Sequence, residues 1–359
     1  MVVWIQNPFD NLQGEGFRKM RYALMADAFV RAGHRVVIWT SDFSHATKCS
    51  RTLRRTSDSS SSCMSIQMVR TIPYARNVSL RRVVSHIAYA RQWERDAAGV
   101  VADGLARPSL IVSSLPTISA AAAAIRIARR FGASVAVDVQ DAWPETFERI
   151  LPRWTLSPLR KMAQRVFREA DIVTGVCSRY RELANRSDYV MAYLGIELGP
   201  RPALPCSNGP RRRIAYVGGL GCSYDLKTVR RAAEMLDMEL AVAGGKNYLG
   251  QAELESFLSG CDVGVVPMSA DSWVGLPNKL FDYAKAGLPI VSSLGGESAE
   301  LIAKYACGAT YKVGDVDSLS NAIRSALACE AGASRRMCEA EFDATRIYDS
   351  YVRTLESRI

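Results

Sequence analysis

A proline, an amide, an ammonium and a carboxylate fall close together in Pro277-Asn278-Lys279-Leu280-Phe281-Asp282. Proline is a favourable first residue for a helix. Asn278 and Lys279 then stand in the first turn, and Asp282, four and three residues on, shares their side. A cation at a helix mouth faces phosphate, and a carboxylate accepts from ribose hydroxyls, so the set suits a nucleotide sugar. Read as plain structure, the same residues make a helix start and a local Lys–Asp pair.

Three further groups carry potential chemistry. Gly218, Gly219 and Gly221, in Tyr216-Val-Gly-Gly-Leu-Gly221, let a backbone approach a diphosphate, and Lys227, Arg230 and Arg231 follow on the next helix. Gly14, Glu15 and Gly16 form a similar loop before another helix. Neither loop is a dinucleotide fingerprint or a P-loop, and either also serves as a tight strand-to-helix turn. The segment Asp138-Val-Gln-Asp-Ala-Trp-Pro-Glu145 ends a strand, where site residues collect. Asp141 can accept a hydrogen bond from an attacking hydroxyl, with Asp138 as a second catalytic candidate and Trp143 and Glu145 on the acceptor side. The plainer alternative is a capped turn packed by Trp143 and Pro144. His86, in the helical run 79–91, is a third catalytic candidate against a structural alternative. That run mixes arginines with Leu80, Val83, Val84 and Ile87, and is either a helix for an anionic membrane surface or a solvated face over a core stripe.

Strand-like runs alternate with amphipathic ones and position these groups. Val2–Ile5, 35–40, 110–113, 134–139 and 171–176 read as strands, with helices over Phe17–Ala32 and 117–131. Such βαβ order implies parallel strands. The serine- and arginine-rich stretch 41–65 reads as a loop. Four prolines within 199–210 mark a linker. The alternation restarts at 214–217, 240–243, 263–266 and 290–292. The expected organisation is an N-terminal domain over 1–198, a linker over 199–211 and a C-terminal domain over 212–340. A last helix over 341–359, with Phe342, Ile347, Tyr351 and Leu355 on one stripe, can cross back to the first domain. The fold class is α/β: two doubly wound Rossmann-like domains facing across a cleft.

Composition narrows the function. The chain has 359 residues, 48% hydrophobic and 23% charged, with a net charge of +10. That excludes a disordered or fibrous chain, and the surplus draws anions. No compact basic run with interleaved aromatics argues for nucleic acid. Nine cysteines without a Cys-x-x-Cys pair, and three histidines, argue against a zinc cluster and for a reducing, cytoplasmic setting. Neither a signal-peptide layout nor a spanning apolar run stands out.

The Pro277–Pro289 run resembles the donor-site signature of the retaining GT-B glycosyltransferases of family 4. It is closest to the branch reading Pro-Asn-Lys-Leu-Phe-Glu-Tyr-Met-Ala-Ala-Gly-Lys-Pro. Residues 16–21 with 32–36, 37–45, 138–145 and 295–302 resemble further segments of that family in order. The resemblance implies a nucleotide-diphosphate sugar donor, UDP-type by the family's commonest choice, on the C-terminal domain. It implies an acceptor on the N-terminal domain: a hydroxyl of a glycan, a lipid-linked glycan or a small glycoside, in surface polysaccharide assembly. It implies transfer with retained configuration, no cofactor and no bound metal; the cytoplasmic setting rests on the cysteines, and peripheral contact with an anionic membrane is one of the two readings of the 79–91 run. Donor residues carried over are Gly218, Gly219, Gly221, Lys227, Pro277, Asn278, Lys279, Leu280 and Asp282. Three positions depart from the pattern: Val274 stands where the family's first glutamate falls, Cys222 where a basic residue is usual, and Gly219 where many relatives have arginine. Lys279, Lys227 or Arg213 can supply that charge. A non-catalytic relative that binds sugar nucleotide is the alternative, and a polyanion binder a more distant one.

Overall fold

The structure is a computed structural model. It describes residues 1–359 except 13, 14, 16, 17, 52–62, 78, 149, 150, 201–210, 222, 245–248 and 271. Gly14, Gly16, most of the proline-rich linker, Cys222, and the centre of the 41–65 stretch therefore lie outside the described residues. The chain divides into two compact units, Met1–Gly195 with Thr345–Ile359, and Ile196–Ala344.

The first unit runs β1 (Val2–Gln6), α1 (Arg21–Arg31), β2 (Arg35–Ser41), β3 (Met64–Val69), α2 (Leu80–Ala102), β4 (Leu110–Leu115), α3 (Ile118–Phe131), β5 (Ser134–Val139), α4 (Ser157–Glu169), β6 (Ile172–Gly175), α5 (Arg179–Ala184) and β7 (Val190–Met191). Its seven strands are all parallel, in the order β3-β2-β1-β4-β5-β6-β7. α1 packs on β1 and β2, while α2 packs on α3 and α3 on α4. Both faces of the central strands are covered, so β1 and β4 begin as apolar runs, 2–5 and 110–112, and bury Gln6, Ser113 and Ser114 beyond them. Trp4 of β1 packs against Trp39, ring centroids 5.1 Å apart, and against Phe131 at 6.1 Å.

Two local expectations shift. α1 begins at Arg21 rather than Phe17, because its first turn is served from a distance: the Tyr22 amide donates to Asp10 Oδ2 at 3.0 Å. The 41–65 stretch gives up its ends to the sheet. Ser41 closes β2, and Met64 and Ser65 open β3, an edge strand registered on Val36 and Val37. Its mixed polar pattern fits one covered face.

The second unit runs β8 (Arg213–Gly218), α6 (Leu226–Met235), β9 (Glu239–Gly244), α7 (Gln251–Ser259), β10 (Val263–Val266), α8 (Asn278–Ala286), β11 (Ile290–Ser292), α9 (Glu297–Lys304), β12 (Gly308–Thr310), α10 (Val316–Leu327) and α11 (Ala333–Glu341). Its five parallel strands are ordered β12-β11-β10-β8-β9. The order reverses between β8 and β10, and in the first unit between β1 and β4. Ligands of such sheets bind beyond the strand carboxyl ends at these points.

The last helix, α12 (Ala344–Glu356), belongs to the first unit, with Tyr348, Tyr351, Val352 and Leu355 buried. It does not include Phe342. Between α11 and α12, Asp343 forms an isolated parallel bridge with Ile196: Ile196 N donates to Phe342 O at 2.8 Å, and Ala344 N to Ile196 O at 3.1 Å. Phe342 instead packs on Phe281 of α8, centroids 4.6 Å apart.

Candidate active site

In the second unit, the paired ends of β8 and β9 approach closely at two glycines, Gly218 and Gly244. Gly218 has φ +136° and Gly244 φ +112°, and a Cβ on Gly244 would sit 2.7 Å from the Gly218 carbonyl oxygen. Both positions need a residue without a side chain. Tyr283, fully buried on α8, fixes the same strand ends. Its hydroxyl accepts from the Val217 amide at 2.9 Å and lies 3.2 and 3.1 Å from the Ala215 and Val265 carbonyls.

α8 starts immediately after Pro277, whose carbonyl accepts from Leu280 N at 2.9 Å. The amides of Asn278 and Lys279, ahead of that bond, precede the first intrahelical acceptor, which favours an anion at this end. Lys279 turns inward and is only 5% exposed. Its Nζ lies 4.1 Å from the Tyr224 ring centroid and 5.5 Å from that of Tyr216. Its Cε lies 3.5 Å from where a Cβ on Gly218 would stand. Burial pushes the ammonium down to about 8, with Asp282 acting in the opposite direction. A desolvated cation framed by two rings beside a glycine turn is arranged to meet a diphosphate.

The structure thus joins Lys279 to Gly218, and the exposed Gly219 and Gly221 continue the same loop. Asn278 is exposed at the helix tip, Pro277 is buried, and Asp282 is half-buried. Leu280 is wholly buried, so it belongs to the core and offers no side chain to a donor. Lys227 is exposed on α6, whose start is capped by Asp225 accepting from Thr228 N at 3.1 Å. Arg213 opens β8, at the opposite end of the strand from Gly218, and donates to Gly260 O at 3.2 Å and Glu239 Oε1 at 3.1 Å. Of the three basic residues weighed for the missing charge, only Lys279 is at the mouth. Val274 is half-buried, its amide donating to Ser272 Oγ at 3.2 Å. Tyr216, Tyr224 and Gly244 are missed by spacing alone, although aromatics flanking a glycine loop are a usable signal.

In the first unit, the Asp138–Glu145 segment separates into different roles. Asp138 is fully buried and takes a two-pronged ion pair from Arg21, Nε to Oδ2 and Nη2 to Oδ1, both 2.8 Å. Tyr22 Oη at 2.8 Å and Thr174 Oγ1 at 2.6 Å also donate to it. Burial alone would raise this carboxyl, but Arg21, Thr174 and Tyr22 together hold it below the usual carboxylate range. Asp138 is therefore part of the framework and does not face a substrate. Glu145 is also drawn inward, accepting from Arg160 Nε of α4 at 3.1 Å. Glu15 accepts from the Leu12 amide at 2.8 Å and steadies its own loop.

Asp141 and Trp143 have different company. Burial pushes Asp141 up to about 6, against Arg82, the Ala142 amide and the Trp143 indole. The Arg82 guanidinium carbon lies 4.9 Å from the Trp143 ring centroid, 5.4 Å from Phe9 and 5.9 Å from Tyr74. Arg82 Nε donates to His86 Nε2 at 3.3 Å, one helical turn along α2. His86 sits between Phe9 and Trp143, centroids 5.3 and 5.2 Å away. Burial, then Arg82 and His45, pull this imidazole down to about 3. A neutral ring whose lone pair is occupied by Arg82 is a poor general base, so His86 holds Arg82 rather than a substrate proton. Arg82, Phe9, His45, Lys48 and Tyr74 escape the sequence reading. An Arg at i−4 of a singled-out histidine was the available clue.

The N-terminal part of the chain, residues 20–192, matches the family model "Glycosyl transferase 4-like domain". Residues 213–329 match "Glycosyl transferases group 1". No curated protein sequence gives a significant match. Among solved structures, sucrose-phosphate synthase from Thermosynechococcus elongatus is similar, with a TM-score of 0.70 at 11% identity over 99% of this chain and 98% of that one. Anabaena HepE, solved in complex with UDP and glucose, gives a TM-score of 0.63 at 12% identity over 99% and 100% of the chains. The lipopolysaccharide outer core galactosyltransferase WaaB gives 0.59 at 12% identity over 100% and 99%. Two parallel doubly wound units, two consecutive family matches over most of the sequence and neighbours of the same architecture agree, and the chain belongs to the GT4-type GT-B glycosyltransferases.

Proposed function

We propose that this glycosyltransferase takes a sugar from a UDP-type donor held at the α8 mouth of the second unit. It passes the sugar, with retained configuration, to a hydroxyl of a glycan, lipid-linked glycan or small glycoside in surface polysaccharide assembly. The observation that carries the donor assignment is Lys279: a buried ammonium over Tyr224 and Tyr216, beside the Gly218 turn. As the bond from the anomeric carbon to the diphosphate oxygen breaks, negative charge grows on the leaving group. Lys279 and the first-turn amides of α8 are placed to meet it without reorganising. The acceptor oxygen forms the new bond, and its proton passes to the departing phosphate. Asp141, the carboxylate beside the aromatic pocket of the first unit, accepts a hydrogen bond from the acceptor and orients it. No bound metal is required, because the lysine and the helix end supply the positive charge. HepE and a second solved neighbour, LpCGTa, are described in complex with UDP, which favours uridine as the base.

Contact with an anionic membrane surface is supported by α2. Its inner stripe of His86, Tyr89, Ala90, Trp93 and Ala97 is buried, while Leu80 is 86% and Val84 50% exposed among the exposed Arg81, Arg91 and Arg95. Among the described residues, no helix is long and apolar enough to cross a membrane.

A melting-curve screen against UDP, GDP, ADP and TDP tests the donor assignment, since a ligand of the folded state raises the transition. UDP is expected to give the largest rise. Four unmoved curves would remove the donor site from α8.

A further inference from the structure

The first unit contains a second cluster around half-buried cations, Arg82 and Lys48, whose surroundings differ from those of the matched ion pairs of the unit. Several arginines of this unit meet carboxylates directly: Arg21 with Asp138, Arg126 with Glu94, and Arg186 with Asp188. Arg82 does not. Three aromatic rings frame its guanidinium, and its N–H groups go to neutral atoms, His86 Nε2 at 3.3 Å and the Asn77 carbonyl at 2.9 Å. Lys48 repeats the pattern. Its Nζ lies 4.9 Å from the Tyr74 centroid, 2.6 Å from Asn77 Oδ1 and 3.3 Å from His45 Nδ1.

The groups facing these two cations are His45, His86, Tyr74 and Asp141. Burial, reinforced by Lys48 and Arg82, pulls His45 down to about 3, so neither imidazole adds charge near neutrality. Burial first, and the neighbouring Arg82 charge second, push Lys48 down to about 8. Among the described residues, Asp141 is the carboxylate acting on Arg82, and it is itself pushed towards its neutral form. The pocket therefore holds more positive than negative charge, within walls that strengthen electrostatics. Its cations are oriented in advance by rings and amides.

We propose that the pocket formed by Arg82, Lys48, His45, Tyr74 and Trp143 seats a phosphoryl group carried by the acceptor, a specification that rests on the transfer reading above. A phosphoryl dianion answers both cations at once, and Arg82 offers it the planar fork that suits phosphate oxygens. Asp141, on the rim beside Trp143, then faces an acceptor hydroxyl rather than the phosphate, which it would repel. The phosphoryl group has two possible carriers, a soluble sugar phosphate or a lipid phosphate, and the same pocket chemistry serves both.

The test uses the full chain. Glucose 6-phosphate and glucose are titrated by calorimetry. Phosphatidylcholine vesicles with and without a long-chain prenyl phosphate are assayed by co-sedimentation. Binding of one phosphoryl compound, absent with its uncharged counterpart, supports the pocket and identifies the carrier. Arg82→Gln and Lys48→Gln are each expected to weaken that binding at least about tenfold, and Asp141→Asn to strengthen it. The melting shift with UDP, read on the same samples, should stay unchanged in the Arg82 and Lys48 variants, so a failed donor assignment registers separately. Lys48 lies near the surface, so its variant remains informative if Arg82→Gln folds poorly. The proposal is overturned if neither phosphoryl compound binds, or if both variants bind as tightly as the parent protein.

Discussion

Arg21 and Arg82 lie in the same unit and differ in what surrounds them. Arg21 is fully buried, spends its guanidinium on Asp138 and on the Ala192 and Tyr193 carbonyls, and has the Tyr348 and Tyr351 rings 5.6 and 5.8 Å away. Arg82 is half-buried, ringed by aromatics, and bonded to neutral partners. The first arrangement is complete without a ligand; the second leaves charge to be answered. Lys279 in the other unit follows the second pattern. A buried cation is thus read by its counter-charge: matched cations hold the fold, and those framed by rings and neutral atoms wait for an anion.

Five measurements can break or sharpen that contrast, the first a paired unfolding of two variants. The largest effect is expected for Asp138→Asn, which strands Arg21 without its partner. Denaturant unfolding should show a loss of about 3–5 kcal/mol. Arg82→Gln should cost only about 1–2 kcal/mol in the same assay, since it loses ring contacts and hydrogen bonds to neutral partners but strands no buried counter-charge; an equal loss would erase the distinction. Lys279→Ala should lower the transfer rate about 10²–10³-fold with little change in stability, as expected for one lost donor to a developing anion. Gly244→Ala should destabilise by about 1–3 kcal/mol and weaken UDP binding, because the added methyl meets the Gly218 carbonyl at a positive φ.

The fourth measurement is the pH profile of kcat/KM, which reports the free enzyme. Asp141 must be ionised to accept a hydrogen bond, and its carboxyl is raised to about 6, so activity should fall about tenfold per unit as pH drops below 6. Lys279 must be protonated, and its ammonium is lowered to about 8, so activity should fall as pH rises above 8. Asp141→Asn should remove the acid limb. A limb persisting there would assign it to another group, but not to His86 or His45, which stay neutral down to about 3. The smallest effect is expected for Glu94→Gln. It opens the exposed pair with Arg126 and should cost under about 1 kcal/mol.

Much of the architecture was legible because buried parallel strands leave continuous apolar runs, and 134–139 and 263–266 match β5 and β10 residue for residue. β3 was harder, since an edge strand with one covered face has a weak pattern beside a serine-rich stretch. The α8 mouth was legible through a contiguous motif whose members act within one helical turn. The Arg82 pocket was not, because it gathers residues from four separate segments, around 9, 45–48, 74–86 and 141–143. Asp138 shows the opposite limit. Its position at a strand end points to a site, and only the three-dimensional neighbourhood reveals Arg21 closing over it.

The return of α12 to the first unit has a consequence for the order in which the molecule can be made. Its tyrosines cover Arg21, so a ribosome must deliver almost the whole polypeptide before the N-terminal body can be finished. The C-terminal body, contiguous in sequence, is free to finish earlier. The part synthesised first is the part completed last, and nascent chains halted before residue 344 should leave it open to protease while the later-made half already resists.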